Sequence, residues 1–430
     1  MRGRLNLFQR AMLQWRELHP YSAVHAVRVP QPLDTAQLRR DIAAELEALG
    51  VTGLELDAKR GAFDFRGGPA DCELELMDEG AGRAALEAQF EAQLNRPFVH
   101  AGARVQPFRF FACAAGSSYY LGIAYDHFIA GGDSIVMLMR RLVHRYQGVP
   151  EGSRPDLYPR AFRRLLLRYP AACVVSVARM SQFIAQCRRS YRPPLTGKTD
   201  CYNAYASFAL KAEQVAALRA TAAGFGITLN DLFLALALRA LAPHAVGRLR
   251  SKRRRELAVA SIMNIRREFQ PEADDMFGQF LSSFRVSHPV PHGVNLRELG
   301  QDVHRQTEQI KSGKLYLQTL LAISLGRRVW PLLSVERRRA MFVKGCPVWA
   351  GVTALNADAL WPPSATLAHP LEYVRAASTG PLAPLVFALT SFARAAHLGV
   401  IYRPAVFSRE MVNDIVGDLL DQTRTVAAVE

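Results

Sequence analysis

Residues 119–134 read YYLGIAYDHFIAGGDS, and this stretch decides the fold class that the sequence predicts. Its first half is a continuous run of aromatic and aliphatic side chains, which is typical of a buried β-strand. Gly131 and Gly132 then interrupt the run, and an apolar stripe at helical spacing follows. The order of strand, glycine-containing loop and helix predicts an α/β protein, with Asp133 or Ser134 as the expected helix cap.

Flanking segments extend this pattern. Residues 108–114 form a second strand-like run, and the Gly116-Ser117-Ser118 link predicts a hairpin between the two strands. Near the start of the chain, Asp34 with Gln37 three positions later predicts a capped helix. Further elements are predicted over residues 206–210, 228–241, 257–267, 348–355, 385–390, 398–402 and 408–426, with Thr228 or Asn230 and Ser408 as caps.

The chain length predicts two lobes. At 430 residues the protein exceeds what one hydrophobic core usually supports. The Pro193-Pro194 step marks the expected boundary, which divides the chain into an N-terminal lobe of residues 1–195 and a C-terminal lobe of residues 196–430.

Composition limits the class of function. The formal net charge of +16 comes mostly from arginines spread along the chain, and no nucleic-acid-binding signature accompanies it, so an acidic small molecule or protein partner is favoured over nucleic acid. No apolar run reaches the roughly 18 residues that a membrane span needs. The six cysteines lack metal-ligand spacing, so no metal site is expected. A cytoplasmic monomer is expected, with peripheral membrane contact left open.

His127 is the candidate catalytic residue. It follows a central strand and precedes two glycines and a helix, and polar groups at such strand ends are where α/β proteins place their chemistry. A neutral imidazole can take a proton from a hydroxyl or amine at neutral pH. The alternative is a core histidine satisfied by hydrogen bonds, and the residues alone leave it open.

Several segments, taken in order, resemble the superfamily of condensation domains and chloramphenicol acetyltransferase. They are Leu33-Asp34, Pro107-Phe108-Arg109-Phe110, Asp126-His127 with Ser134, Thr228-Leu229-Asn230-Asp231-Leu232-Phe233, Asn264-Ile265-Arg266, Phe277-Gly278-Gln279-Phe280, Leu355-Asn356 and Phe407. This resemblance covers nearly the whole chain. No single segment is specific, so the resemblance depends on their order.

The resemblance implies a fold and an activity. Two chloramphenicol-acetyltransferase-like lobes, each a mixed sheet with helices, would form a V around a central tunnel. A phosphopantetheine thioester, carried by coenzyme A or an acyl carrier protein, would enter this tunnel as a substrate and not as a permanently bound cofactor. His127 would deprotonate a hydroxyl or amine acceptor, and an ester is the expected product. The alternatives are a free-standing amide-forming condensation domain and a non-catalytic protein that docks a carrier or partner enzyme.

The histidine loop departs from the family pattern His-His-x-x-x-Asp-Gly. Asp126 replaces the first histidine, and Gly131 replaces the aspartate that braces the loop in relatives. Asp133, two positions later, is expected either to take over this bracing by pairing with Arg266 or to cap the following helix.

Other polar residues are expected to support the site. Asn264, Arg266 and Asn356 end predicted strands, where they would line the tunnel or brace the strands, and Arg266 is favoured as a brace. A run of cations precedes the strand at residue 257, and it is expected either to steer the phosphorylated donor or to be a solvated loop. The run consists of Arg248, Arg250, Lys252, Arg253, Arg254 and Arg255.

Overall fold

The computed structural model describes most of the chain. The described residues are 1–70, 72–78, 82–98, 100–101, 104–153, 155–157, 165, 167–194, 201–269 and 276–427. Side chains are described over the same ranges apart from residues 100, 101 and 423–427. The predicted boundary between residues 195 and 196 lies outside the described residues and stays a prediction.

The described chain contains both helices and strands along its whole length. The helices are α1 (Leu7–Trp15), α2 (Thr35–Leu49), α3 (Arg83–Asn95), α4 (Gly132–Tyr146), α5 (Pro170–Ala178), α6 (Met180–Arg189), α7 (Ala212–Gly224), α8 (Leu229–Leu241), α9 (Leu296–Ser312), α10 (Leu317–Val329), α11 (Val335–Gly345), α12 (Ala357–Leu360) and α13 (Arg409–Ala427). The strands are β1 (Arg2–Arg4), β2 (Ser22–Val29), β3 (Leu54–Asp57), β4 (Ala62–Phe65), β5 (Glu73–Met77), β6 (His100–Ala101), β7 (Arg104–Val105), β8 (Phe108–Ala115), β9 (Ser118–Asp126), β10 (Asp156–Leu157), β11 (Ala204–Leu210), β12 (Leu257–Asn264), β13 (Met276–Phe277), β14 (Leu281–His288), β15 (Ala350–Asn356), β16 (Glu372–Ala377), β17 (Leu385–Phe392) and β18 (Ala395–Tyr402).

The first main sheet contains the strand that leads to His127. Its order is β16-β2-β9-β8-β5, and β9 lies at its centre between β2 and β8. The predicted hairpin is confirmed: Ala115 pairs with Ser118, and Gly116 has a φ of +64°, which favours glycine in this tight turn. Helices α2 and α4 cover one face of the sheet with apolar side chains, and α3 covers the other. The central position buries every residue of β9 except Tyr120, which is half-buried.

The second main sheet has six strands in the order β11-β18-β17-β15-β12-β14. Its centre is parallel, because β15 pairs in parallel with both β12 and β17. Helix α8 is almost entirely apolar, and its buried residues pack in the core of this sheet. Parallel strands need covered faces, which explains why such an apolar helix lies here.

One strand crosses between the two halves of the chain. Strand β16 follows β15 in sequence but pairs antiparallel with β2 at the edge of the first sheet. Each main sheet is mixed and carries helices, as the sequence predicted. The first sheet is nevertheless completed by a segment from the second half of the chain, which no local pattern indicated.

Two smaller sheets complete the described structure, with the orders β1-β4-β3-β7-β6 and β10-β13. No single helix among the described residues is long and apolar enough to cross a bilayer. Helices α7 and α8 reach the necessary length and apolar character only as a pair, which is bent by 100° at their junction.

The structure confirms two of the predicted helix caps and contradicts a third. Asp34 and Thr228 cap their helices through the backbone N–H groups of Gln37 and Asp231, as expected. The expected cap of α4 by Asp133 or Ser134 was wrong, because Gly131 is the N-cap residue and no side chain caps this end. The strand predicted over residues 257–267 ends at Asn264, after which the chain turns into a short 3₁₀ helix, Arg266–Glu268.

Candidate active site

His127 lies immediately after β9, with its ring held between two tyrosines. The Tyr21 ring stacks on it at 5.6 Å between centroids, and the Tyr125 ring meets it edge-on at the same distance. Its Nδ1 atom lies 3.2 Å from the Ala130 carbonyl oxygen. Because a carbonyl only accepts, Nδ1 must carry the proton, and Nε2 therefore holds a lone pair in the neutral ring.

The electrostatic surroundings keep this imidazole neutral. The pKa of His127 is lowered to about 4. Burial is the main cause and the nearby Arg375 guanidinium acts in the same direction, while the bond to Ala130 opposes both effects. At pH 7 the ring is therefore uncharged and able to accept a proton at Nε2. Among the described residues, no hydrogen bond is found for Nε2.

Asp126 is a buried carboxylate paired with helix α1. Arg16 Nη1 donates to its Oδ2 at 2.6 Å, and the Asp126 side chain is 4% exposed. Burial raises the pKa of Asp126 to about 6, although the Arg16 charge and hydrogen bond lower it. Asp126 thus anchors the start of the histidine loop to α1.

Gly131 and Gly132 begin α4 with ordinary backbone angles. Gly131 is extended, with a φ of −83°, and its N–H donates to the Gly278 carbonyl at 2.9 Å. A Cβ atom at Gly131 would lie 3.1 Å from Gln279 Oε1, whereas one at Gly132 would meet Leu355 at 3.5 Å. Close packing against residues 278–279 therefore explains Gly131 better than any need for a left-handed backbone.

A latch from the second half of the chain braces the histidine loop. Gln279 Nε2 donates to the His127 carbonyl at 2.8 Å and reaches the Ala130 carbonyl at 3.3 Å. Ser134 Oγ donates to the Gly278 carbonyl and accepts from the Gly278 N–H, each at 3.0 Å. We name residues 278–279 with Ser134 the loop latch.

The expected pair between Asp133 and Arg266 was wrong. Arg266 Nη2 donates instead to Ser134 Oγ at 2.7 Å, so this arginine supports the loop latch. Asp133 accepts a short hydrogen bond from Asn264 Nδ2, and no ion pair between Asp133 and Arg266 occurs in the described chain. The bracing expected of a loop aspartate is therefore supplied mainly by a hydroxyl, an amide and backbone groups.

Asn264 and Asn356 have local bonding roles. The Asn264 Oδ1 atom accepts from the Arg266 N–H at 2.8 Å, which fixes the turn after β12. Asn356 caps the short helix α12 through the Ala359 N–H at 3.4 Å and accepts from Ser391 Oγ at 3.3 Å. Both side chains are exposed, and only Asn264 bonds directly to the segment around His127.

Comparison with known proteins places this geometry on a known fold. No protein-family model and no curated protein matches the sequence. The condensation domain of the Monacolin K polyketide synthase MokA superposes with a TM-score of 0.71 at 13% identity, covering 100% of this chain and 98% of that one. The chain has the condensation-domain fold.

Two other solved structures share this condensation-domain fold. SgcC5 from Streptomyces globisporus, solved with 1-(2-naphthyl)-1,2-ethanediol and sucrose, gives a TM-score of 0.69 at 15% identity over 99% of both chains. The X-domain from teicoplanin biosynthesis, solved in complex with OxyB, gives 0.61 at 16% identity over 99% of this chain and 93% of that one. The two-lobed α/β architecture implied by the sequence resemblance is confirmed.

Within the condensation-domain fold, a buried polar chain that the sequence did not reveal lies under His127. Tyr125 OH lies 3.3 Å from His25 Nε2, and His25 Nδ1 lies 2.7 Å from Tyr373 OH. Burial lowers the pKa of His25 and raises that of Tyr125 and Tyr373, so all three are neutral. In the β2–β9 pair His25 lies opposite Ile123 and Tyr125 lies opposite Ala23, so His25 and Tyr125 are diagonal neighbours on one face of the sheet. Alternation along those strands is the signal that could have placed them together.

Arg375 is the second unpredicted feature. This arginine is 5% exposed and donates to the Thr353 carbonyl at 2.7 Å, to the Thr390 hydroxyl at 3.1 Å and to the Leu389 carbonyl at 3.1 Å. Since Arg375 lies on β16, these bonds tie the first sheet to β15 and β17 of the second. Its charge also acts on His127.

An apolar cavity of about 170 Å³ opens near the site. Its lining includes Trp15 of α1, Ile323 of α10 and Phe342 of α11. The Trp15 ring meets the Tyr21 ring edge-on at 5.6 Å, and Tyr21 in turn stacks on His127. The rings of Tyr21 and Trp15 therefore lie between His127 and the cavity.

The predicted cation run divides into inward and outward residues. Arg248 is 4% exposed and donates to the Ala242 carbonyl at 2.6 Å, and Arg254 donates to the Ser190 carbonyl at 2.9 Å. These two arginines satisfy backbone carbonyls and do not belong to a solvated steering surface. The exposed cations of the run are Arg250, Lys252, Arg253 and Arg255, which we name the loop cations.

Proposed function

We propose that the protein transfers an acyl group from a pantetheine thioester to a hydroxyl or amine acceptor, with His127 as the general base. The observation that carries this proposal is the neutral His127 ring at the end of a central strand, with Nδ1–H fixed on Ala130 and no described partner for Nε2. The condensation-domain fold supports it, since solved structures of that fold include domains of polyketide and peptide synthetases.

The chemistry needs no covalent enzyme intermediate. The acceptor O–H or N–H gives its proton to His127 Nε2 while its oxygen or nitrogen attacks the thioester carbonyl carbon. The carbon–sulfur bond then breaks from the tetrahedral oxyanion, and the departing thiolate takes the proton back from Nε2. The Ala130 carbonyl, which accepts from Nδ1–H, stabilises the transient imidazolium.

An ester is the expected product, with coenzyme A or an acyl carrier protein as the donor. The structure of SgcC5 with a diol supports a hydroxyl acceptor in a protein of this fold. The loop cations offer four positive charges to a phosphorylated donor, and long-range attraction of this kind raises the association rate. This steering role stays a prediction.

The second candidate is a non-catalytic protein that docks a carrier or a partner enzyme. Two observations favour it: Asp126 and Gly131 depart from the family loop pattern, and an X-domain of the same fold was solved in complex with OxyB. In this case a carrier would bind without thiol release.

Replacement of His127 tests the proposal. His127→Ala should lower thiol release from a responsive acyl thioester about 100-fold or more, the usual range for a lost general base, because Nε2 is the proposed proton acceptor. A panel of acyl-coenzyme A and acyl-carrier thioesters with added alcohols and amines, followed by mass spectrometry, identifies the donor first.

The matched control is His369→Ala, which removes another half-buried histidine, one that stacks on Phe392 at 4.6 Å. It should leave the rate within a few-fold of wild type. Carrier binding without any turnover would favour the docking protein, and unchanged turnover in His127→Ala at unchanged stability would exclude His127 as the base.

A further inference from the structure

Two cysteines far apart in sequence meet beside the apolar cavity. Cys187 lies near the end of α6 and is 2% exposed, and Cys346 directly follows α11. Their Sγ atoms are 3.5 Å apart, with the Cys187 S–H donating to the Cys346 sulfur. Cys346 is half-buried and lines the cavity, which gives a small solute a route to this residue.

Positive charge surrounds the two sulfur atoms. The Arg285 guanidinium acts on both thiols and Arg254 acts on Cys187. Arg254 also donates to the Cys187 carbonyl at 3.3 Å, which holds its charge close to the pair. The Cys187 S–H and the Arg285 charge lower the pKa of Cys346 to about 7, whereas the pKa of Cys187 is raised. A thiolate is the nucleophilic form of cysteine, so Cys346 is the more reactive partner.

The geometry allows the two sulfur atoms to approach further. A disulfide of about 2 Å requires them to move together by about 1.5 Å. Helix α11 contains no fully buried residue, so fewer close contacts oppose a small shift of this helix than of a core helix. The Cys187 side is fixed by its burial and by Arg254.

We propose that Cys187 and Cys346 form a site of reversible oxidation, where a hydroperoxide converts the thiol pair into a disulfide that joins α6 to α11. The Cys346 thiolate attacks a peroxide oxygen, which breaks the O–O bond and gives a sulfenic acid and hydroxide. The Cys187 sulfur then attacks the sulfenic sulfur and displaces its hydroxyl group, while the Cys187 proton completes a water molecule. Two thiols and one hydrogen peroxide thus give one disulfide and two waters.

The disulfide would act on the cavity wall. Phe183 of α6 and Phe342 of α11 both line the cavity, so a covalent link between these helices fixes two sides of it. The reactive Cys346 sulfur would at the same time leave the cavity lining. Oxidation therefore changes the cavity, which the rings of Trp15 and Tyr21 separate from His127, without any change at His127 itself. The inference does not depend on the proposed acyl transfer.

Peptide mapping of native protein tests the site. Reduced wild-type protein is treated with one equivalent of hydrogen peroxide, blocked with N-ethylmaleimide, digested with trypsin and analysed by mass spectrometry. The expected product is the peptide of residues 180–188 linked to the peptide of residues 345–375, with the intact mass lower by about 2 Da. Dithiothreitol should reverse the link, and tenfold dilution of the protein should not reduce its yield.

Single substitutions provide the matched controls. Cys187→Ser and Cys346→Ser should abolish the linked peptide, and Cys346→Ser should also remove the fastest maleimide labelling of the reduced protein. Cys201→Ser, at another half-buried cysteine, should leave the linked peptide and the fastest maleimide labelling unchanged. The proposal is overturned if wild-type protein consumes the peroxide without forming this link, if Cys346 ends as a sulfinic acid with Cys187 unlinked, or if the link joins two molecules.

Discussion

At the scale of single residues, the surroundings of His127 and Asp126 shift the pKa values of these two neighbours in opposite directions. Burial lowers the pKa of His127 to about 4 and raises that of Asp126 to about 6. In the first case the unfolded chain binds the proton more tightly, so His127 destabilises the fold as pH falls from 6.5 to about 4. The folded chain binds the Asp126 proton more tightly than the unfolded chain does. The stabilisation that comes from the protonated Asp126 carboxyl is therefore lost as pH rises through about 6.

The lowered pKa of His127 predicts an unusual pH profile for the proposed reaction. The rate of thiol release should stay nearly constant from pH 8 to about 5, because the base is deprotonated throughout, whereas an ordinary histidine would lose activity below pH 6.5. The measurement is kcat against pH in wild type and in Asp126→Asn, which removes the neighbouring titration. A midpoint near 6.5 in both proteins would contradict the neutral, buried base.

The pair between Arg16 and Asp126 predicts a pH-dependent stability. Arg16→Met removes the ion-pair partner of a buried carboxylate, and the free energy of unfolding should fall by about 3 kcal/mol at pH 8. At pH 5 the carboxyl is protonated and the loss should be much smaller. Urea denaturation at both pH values measures this, with Arg16→Lys as the variant that keeps the charge. An equal loss at both pH values would mean that Arg16 contributes by packing alone.

At the scale of elements, the loop latch replaces the ion pair that the sequence suggested. Arg266, Ser134 and Gly278 form one connected set of hydrogen bonds, and the Arg266 guanidinium also lies 5.2 Å from the Phe280 ring centroid. These groups are buried, so the loss of one partner leaves another unsatisfied. The start of α4 is therefore held from the second half of the chain and not by a side-chain cap.

The latch predicts which residues couple energetically. In a double-mutant cycle of Ser134→Ala and Arg266→Gln, the coupling energy should be about 1 kcal/mol or more, because the two side chains are in contact. A cycle of Asp133→Asn and Arg266→Gln should be additive within about 0.5 kcal/mol. Urea denaturation of the single and double variants measures both cycles. Strong coupling between Asp133 and Arg266 would instead indicate that these two side chains form the ion pair that the sequence suggested.

At the scale of the whole molecule, one strand joins the two main sheets, and a group of exposed cations precedes another strand of the second sheet. Arg375 joins the two main sheets, and β16 carries it from the second half of the chain into the first sheet. The loop cations lie on the connection that leads into β12, whose far end bonds to Asp133. Peripheral membrane contact and the monomeric state stay predictions.

The loop cations predict a difference between the two donors. Replacing Arg250, Lys252, Arg253 and Arg255 with glutamine should weaken the use of an acyl carrier protein more than that of the matching acyl-coenzyme A, because an acidic carrier presents more charges. The rate at saturating donor should be nearly unchanged, since steering precedes chemistry. Values of kcat/KM at low and high salt measure this.

The matched control replaces four exposed cations in or next to the sheet β1-β4-β3-β7-β6 with glutamine, namely Arg4, Lys59, Arg60 and Arg104. They carry the same kind of charge, and their loss should change neither donor. If the loop-cation variant and the control variant give the same kcat/KM values for each donor, the loop cations belong only to a solvated loop.

The sequence alone determined the features that depend on near neighbours. The strand, loop and helix around His127, the hairpin at Gly116, and the caps at Asp34 and Thr228 all follow from hydrogen bonds and side-chain spacing within a few residues. Such patterns are visible in the chain because the interacting groups are separated by fixed, short intervals.

Only the tertiary structure decided the contacts that make a site. The Arg16–Asp126 pair spans 110 residues, the Gln279–His127 bond spans 152, and the two cysteine sulfurs are 159 residues apart. Sequence spacing carries no signal over such intervals, because sheet order and packing bring these groups together. For this reason the sequence predicted the histidine, whereas the groups that orient it, the burial that keeps it neutral and the nearby apolar cavity emerged only from the fold.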